Sequence, residues 1–178
     1  MYAGILGGDV DLITGIVRGV ANELEGVSSV VADASEGYNS VHDLCRFIVG
    51  AACALAGGVK HYEYPVVQAP ASFDLSFELD DAELQEKLSA ARSYSSIRND
   101  TNELIERFGE AAFRVESFRR VEEWAAPGWP AAEKPYYERI GEERVTAGRY
   151  GRVIRYAEHM RPLCGKVQQW VNGFRCAS

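Results

Sequence analysis

The feature that most constrains this chain is a short β-branched segment followed by a polar loop and a long apolar segment. Residues 27–32 read Val-Ser-Ser-Val-Val-Ala, and the apolar segment at residues 41–56 ends at a glycine pair. The first pattern is typical of a buried parallel strand, and the glycine pair favours the C-terminus of a helix. A second strand, predicted at residues 62–67, completes a strand–helix–strand unit. The loop at residues 33–40 then lies beyond a strand's carboxyl end, where open α/β sheets bind ligands.

The other segments continue this alternation of helices and strands. We predict helices at residues 9–24, 80–94 and 101–108. We predict strands at residues 73–79, with one buried face, and at residues 112–121. A linker is predicted at residues 125–135, followed by helices over residues 136–172 with breaks near Gly148 and Pro162. The order predicts an α/β fold, a three-layer Rossmann-like sandwich with a partly parallel sheet and a helical C-terminal tail. The expected division is an α/β domain at residues 1–124 and a linker with a helical extension at residues 125–178.

Charge and hydropathy limit the classes of partner that this chain can have. The net charge is −7, which argues against nucleic acid. Residues 126–178 hold nine Lys/Arg against five Asp/Glu, whereas residues 1–125 hold ten against twenty-one. The basic tail therefore either folds back on its own domain or meets an acidic partner. The longest apolar run, residues 47–59, is too short to span a bilayer, and the N-terminus has no signal-peptide pattern. We expect a cytoplasmic protein with four reduced cysteines and no membrane partner.

One group of residues, where the predicted loop meets the following helix, has side chains that could bind a metal or take part in catalysis. Glu36, Asn39, His42 and Asp43 lie within eight positions, where the strand ends and the helix begins. A neutral imidazole is a common zinc ligand, and a neighbouring carboxylate can orient the ring. A zinc site needs at least three protein ligands, so the spacing equally fits a capped helix with a structural histidine.

The same stretch resembles a motif of the PIG-L/LmbE-type metal-dependent deacetylases. That family carries a strand, a loop similar to E-G-G-H-P-D-H-D and an Ala-rich helix, and this chain reads E-G-Y-N-S-V-H-D over residues 36–43. The resemblance implies zinc as cofactor with His42 as a metal ligand. It also implies catalytic roles for Asn39, which replaces a histidine, and Asp43, and substrate contacts for Glu36 and Tyr38. The resemblance extends over residues 9–124.

The resemblance also implies what this chain lacks. The family's A-H-P-D-D-E-like segment, which supplies two zinc ligands and the general base, has no counterpart in the sequence. We therefore expect an N-terminally incomplete domain and two possible functions. One is a zinc-dependent deacetylase of N-acetylated amino sugars that is inactive or incomplete as an isolated chain. The other is a non-catalytic α/β module for binding or assembly, with a protein partner or a second copy of itself.

Other candidate residues favour structural roles. His61 and His159 lack a paired acid in a suitable setting, so we expect them at the surface or half-buried. Asp80-Asp81 precedes a helical pattern and predicts a helix cap. An aromatic group near the linker prolines either lines a substrate cleft or packs the linker; it consists of Trp124, Trp129, Tyr136 and Tyr137.

Overall fold

The computed structural model describes residues 1–65, 73–122, 124–125, 128–130 and 133–177. The chain forms two compact units. The core unit comprises Met1–Ala71 and Arg120–Ser178, and the inserted unit comprises Ser72–Arg119. The core unit contains the loop that the sequence singles out.

The core unit begins with two helices, α1 (Tyr2–Gly7) and α2 (Val10–Glu23). Oδ1 of Asp9 accepts a hydrogen bond of 3.0 Å from the backbone N–H of Leu12, which caps α2. Apolar residues at helical spacing bury one side of α2, so the predicted helix at residues 9–24 is confirmed.

A strand–helix–strand unit follows, as predicted, and residues 66 and 67 of the predicted second strand lie outside the described residues. Strand β1 (Ser29–Asp33) pairs in parallel with β2 (Lys60–Tyr64), and helix α3 (Ser40–Ala56) connects them. The register places Ser29 opposite Lys60 and Asp33 opposite Tyr64. Gly57, with a φ of 71°, ends α3 in a backbone conformation that glycine adopts without a Cβ penalty. The prediction that the first strand is buried is wrong, because within β1 only Ala32 is buried.

The C-terminal part of the core unit is helical. Helix α6 (Tyr136–Thr146) ends before Gly148, and a π-helical turn (Tyr156–Met160) leads directly into α7 (Arg161–Ala177). The predicted break near Gly148 is confirmed. The predicted break at Pro162 is wrong, because the π-helical turn passes directly into α7 and the helix continues through this proline.

Helices α2, α3 and α7 bury their apolar faces together in one hydrophobic core. The fully buried side chains come from these three helices, from α1 and from the π-helical turn; they include Ile5, Ile13, Val17, Leu44, Phe47, Met160, Leu163, Val167 and Val171. The basic C-terminal tail therefore folds back on its own domain, the first of the two possibilities that its charge leaves open.

The inserted unit has an antiparallel strand pair and two helices. Strand β3 (Leu75–Glu78) pairs with β4 (Val115–Arg120), and α4 (Asp81–Ser93) and α5 (Arg98–Phe108) lie between them in the chain. Asp80 and Glu83 form a reciprocal capping box at the start of α4, which confirms the predicted cap. The predicted buried face of the strand at residues 73–79 is wrong, because every residue of β3 is exposed.

The chain thus has an α/β fold with both parallel and antiparallel strand pairs, which confirms the predicted class. The predicted division at residue 124 stays a prediction. In the described part of the chain, no helix combines the length and apolar character needed to cross a bilayer.

Candidate functional site

Asp43 fastens the loop that precedes α3. Its side chain is 3% exposed, and its Oδ1 accepts hydrogen bonds from the backbone N–H groups of Glu36 (3.0 Å) and Gly37 (3.2 Å). Burial raises the pKa of this carboxyl to about 6, even though the two N–H groups favour the ionised form. The carboxylate predicted to be catalytic therefore holds the backbone of the loop that precedes its helix.

Asn39 caps α3. Its side-chain oxygen accepts a hydrogen bond of 2.9 Å from the N–H of Val41, and its backbone is extended, as an N-cap residue requires. The predicted catalytic role of Asn39 stays a prediction. The structure gives this side chain a role in starting the helix.

His42 lies half-buried in the first turn of α3, and its partner is a residue that the sequence prediction did not single out. Its Nδ1 is 3.5 Å from Oδ2 of Asp33, the last residue of β1. The two side chains meet at the carboxyl end of a parallel strand, which is the place where α/β sheets carry their ligand sites.

A metal site at His42 and Asp33 would need at least one more protein ligand, such as a thiol or a carboxylate. Cys45 is one helical turn after His42, and burial followed by the charge of Asp33 raises the pKa of its thiol. A raised pKa disfavours the thiolate that binds metals. Among the described residues, no three His, Cys, Asp or Glu side chains are grouped closely enough to hold an ion. The residues present therefore do not fit a zinc site by themselves.

The middle of the loop is packed under an indole ring. Gly37 has a φ of 65°, and a Cβ added to it would overlap the ring of Trp129. The backbone carbonyl of Gly37 also accepts a hydrogen bond of 3.1 Å from the N–H of Tyr137 at the start of α6. The predicted aromatic group thus divides: Trp129 packs on the loop, and Trp124 packs against Phe47 of the core.

The outer side of the loop borders a cleft of about 720 Å³. This volume lies within the range of small-molecule sites. Its walls come from α1, the loop, α6 and the segment after α6; the lining residues are Tyr2, Leu6, Tyr38, Asn39, Ser40, Tyr136, Tyr137, Ile140, Gly141, Arg144, Arg149, Tyr150, Gly151, Arg152 and Ile154. We call this cavity the tyrosine–arginine cleft. It contains Tyr38, one of the two predicted substrate contacts.

Glu36, the other predicted substrate contact, lies outside this cleft. It lines a smaller cavity of about 450 Å³ together with Trp129, Glu133, Lys134, Tyr136 and Arg139. The structure therefore separates the two predicted contacts, with Tyr136 bordering both cavities.

Polar and close apolar contacts fix the far wall of the cleft. Buried Glu138 on α6 accepts hydrogen bonds from Arg155 (3.1 Å) and from the N–H of Tyr156 (3.0 Å). Gly141 allows Val153 to pack directly on α6, where an added Cβ would lie 3.0 Å from a Val153 methyl group. These contacts hold the arginine-bearing segment after α6 against the helix.

The remaining histidines are structural in character. His61 is 5% exposed, in contrast to the surface or half-buried position expected, and neither ring nitrogen has a hydrogen-bond partner among the described residues. Burial and the nearby charge of Arg46 lower its pKa to about 4. His159 is half-buried, as expected, and its Nδ1 accepts a hydrogen bond of 2.9 Å from the N–H of Arg155.

Sequence reasoning missed two sets of residues here. Asp33 could have been found from its position, because a carboxylate that ends a parallel strand is a standard ligand position. The basic excess of the C-terminal segment pointed towards Arg144, Arg149 and Arg152, but only the folded chain brings them to the loop. Comparison of the chain with family models, with curated proteins and with solved structures gave no match.

Proposed function

We propose that this chain is a non-catalytic α/β module that binds a small molecule in the tyrosine–arginine cleft. The proposal rests on the different positions of the side chains in and next to the loop. Buried Asp43 and half-buried Asn39 hold the backbone through hydrogen bonds, and exposed Tyr38 borders the cleft beside Asn39. Side chains that hold a loop in this way support a binding surface on its other side.

The first experiment tests the absence of catalysis. The purified full chain is incubated with zinc and with N-acetylglucosamine compounds, and acetate release and bound zinc are measured. We expect less than one zinc per chain and no acetate above the uncatalysed rate, because the described residues group no three His, Cys, Asp or Glu side chains closely enough to hold the ion. Stoichiometric zinc together with acetate release would overturn the proposal.

The second experiment locates binding. A library of small molecules is screened by ¹H–¹⁵N correlation spectra of the full chain. We expect ligands to shift the amide signals of Tyr38 and Ser40 and of α6, because these border the cleft. Signals of the inserted unit, such as those of α4, provide the reference for non-specific change. A screen in which ligands shift only signals away from the loop and α6 would contradict the proposal.

A metal-dependent deacetylase of the PIG-L/LmbE type is the second candidate. The contact of His42 with Asp33 at the carboxyl end of β1 favours it, since this is where a Rossmann-like sandwich would place a metal ligand. An N-acetylated substrate, a protein partner or second copy, and a cytoplasmic location belong to this candidate as predictions. Its activity requires metal ligands and a general base beyond the described residues.

Zinc titration separates the two candidates. Calorimetry is run on the full chain, on His42→Ala and on His159→Ala, which removes a half-buried histidine elsewhere. The second candidate requires zinc binding that His42→Ala weakens by about tenfold or more and that His159→Ala leaves unchanged. Equal zinc binding by all three proteins supports the non-catalytic module.

A further inference from the structure

The tyrosine–arginine cleft concentrates positive charge in a protein with a net charge of −7. Arg144, Arg149 and Arg152 line it, and its described walls include no aspartate or glutamate. In the described part of the chain, none of the three arginines forms an ion pair with a carboxylate. Three guanidinium groups around one cavity, without acidic partners, favour an anionic ligand.

Two of the three arginines contact neutral groups. Nη1 of Arg144 donates a hydrogen bond of 2.7 Å to the hydroxyl of Tyr150, and its guanidinium lies over the same ring at 5.3 Å. Nη2 of Arg152 is 3.4 Å from the backbone oxygen of Leu6. These contacts orient two of the guanidinium groups and leave their charge uncompensated, so a ligand can supply the missing anion.

The same cleft offers ring surfaces. Tyr38 and Tyr136 stack with centroids 5.3 Å apart and an interplanar angle of 8°. Each is nearly half exposed, as is Tyr150 on the arginine side of the cleft. Exposed aromatic faces beside polar groups are typical of sites that bind a ring and fix its orientation through hydrogen bonds.

We infer that the cleft binds a small phosphorylated molecule in which a phosphomonoester is attached to a ring. A phosphomonoester carries between about −1.5 and −2 charges at neutral pH and has three acceptor oxygens, which suits several guanidinium groups better than a single carboxylate does. The ring then contacts the exposed tyrosines. The inference rests on the proposed function, because it names the ligand class of the same cleft.

The test uses four probes with the full chain at low ionic strength. Phenyl phosphate and glucose 6-phosphate carry a ring and a phosphate, inorganic phosphate lacks the ring, and glucose lacks the phosphate. Calorimetry is expected to show both ringed phosphates binding about tenfold or more tightly than either inorganic phosphate or glucose. Added salt weakens the binding, because part of it is electrostatic. The order of the two ringed phosphates distinguishes an aromatic from a sugar ring.

Matched variants locate the anion and the ring. Arg149→Glu is expected to weaken binding of phenyl phosphate by about tenfold or more, whereas Arg161→Glu, the same charge change at an exposed position outside the cleft, changes it less than about twofold. Tyr38→Ala is expected to reduce the preference for phenyl phosphate over inorganic phosphate. Tyr94→Ala, which removes an exposed ring of the inserted unit, keeps that preference.

The outcomes separate this inference from the proposed function. Equal binding of glucose and glucose 6-phosphate, no binding of any of the four probes, or equal effects of Arg149→Glu and Arg161→Glu would overturn the phosphate ligand. The proposed function survives any of these results if uncharged library compounds shift the signals of Tyr38 and α6. It fails if the library gives no shifts there either.

Discussion

At the scale of single residues, two opposing effects act on the pKa of Asp43. Its carboxylate accepts two backbone hydrogen bonds, which favours the ionised form, and its burial disfavours that form more strongly. The pKa in the folded chain is about 6, above the ordinary value of 3.8. Between these two pH values the folded state binds more protons than the unfolded state, so the contribution of Asp43 to stability is present at pH 4 and is lost as the pH rises through 6.

Asp43→Asn is expected to remove this loss, because an amide oxygen accepts the same two hydrogen bonds without a charge. The free energy of unfolding of the variant relative to the natural chain should rise by roughly 2 to 3 kcal/mol between pH 4 and pH 7. Urea unfolding followed by tryptophan fluorescence measures it. Asp11→Asn, the same substitution at an exposed position of α2, is the control. A flat difference for Asp43→Asn would contradict the prediction.

The comparison with the natural chain is needed because His61 acts in the opposite direction. Its pKa in the folded state is about 4, below the ordinary 6.5, so the folded state binds fewer protons between these values. Its contribution to stability is therefore lost as the pH falls from 6.5 towards 4. The effects of these two buried groups on stability therefore partly cancel in the natural chain.

Gly37 is a second residue with a special environment, because its backbone conformation and the ring of Trp129 leave no room for a side chain. Gly37→Ala would place a Cβ in a left-handed backbone conformation and against the ring of Trp129. We expect a loss of about 2 to 4 kcal/mol in the free energy of unfolding, from backbone strain and overpacking together. Chemical denaturation measures this loss.

Gly148→Ala separates the two causes of that loss. Gly148 has a φ of 69° and open space around its Cβ position, so its substitution should cost about 1 to 2 kcal/mol from strain alone. Equal losses for the two variants would mean that the indole contact contributes nothing.

At the scale of elements, the sequence pattern predicted most of the helices and their ends. Asp80 was a recognisable cap because it precedes a helical pattern, and the glycine pair after α3 ends that helix as predicted. Burial of the strands was harder to predict. The alternation in β3 matches a half-buried strand, yet its apolar side chains are exposed, because burial depends on what packs against a strand and not on the strand's own period.

The candidate site was predictable only in part for a related reason. Residues 36–43 are adjacent in sequence, and their chemistry could be read directly. The partner of His42 comes from the end of β1, and the opposite wall of the cleft comes from α6 and the segment after it. Contacts between residues far apart in the chain leave no local pattern, so the arginines of the cleft could not be assigned to it beforehand.

Helix α3 provides the prediction at this scale, through its cap. Asn39→Ala removes the side chain that accepts from the N–H of Val41, and we expect a loss of about 1 kcal/mol in the free energy of unfolding. Asn39→Ser keeps a capping oxygen and should retain most of the stability. Thermal unfolding of both variants measures the difference. If alanine and serine are equally tolerated, the cap contributes little and the side chain is free for another role.

At the scale of the whole molecule, the C-terminal segment is part of the main hydrophobic core. Leu163 on α7 is 1% exposed and packs with side chains from α2 and α3. Leu163→Ala is expected to destabilise the chain by about 2 to 5 kcal/mol, because it leaves a cavity in a close-packed interior. Gln169→Ala on the exposed side of α7 should change stability by less than about 0.5 kcal/mol. Denaturant titration of both variants provides the test, and similar small effects would mean that α7 is only loosely attached.

The core unit is built from two separate segments of the chain, and this affects how the chain folds during translation. Helices α2 and α3 are translated first, but the side chains of α7 that cover them follow the entire inserted unit in chain order. The part of their apolar surface that α7 covers therefore stays exposed on the ribosome until α7 has emerged, and closing the core requires a contact of long sequence separation. Nascent chains halted before residue 161 should accordingly bind general chaperones that recognise exposed apolar helices, and chains released after α7 should not.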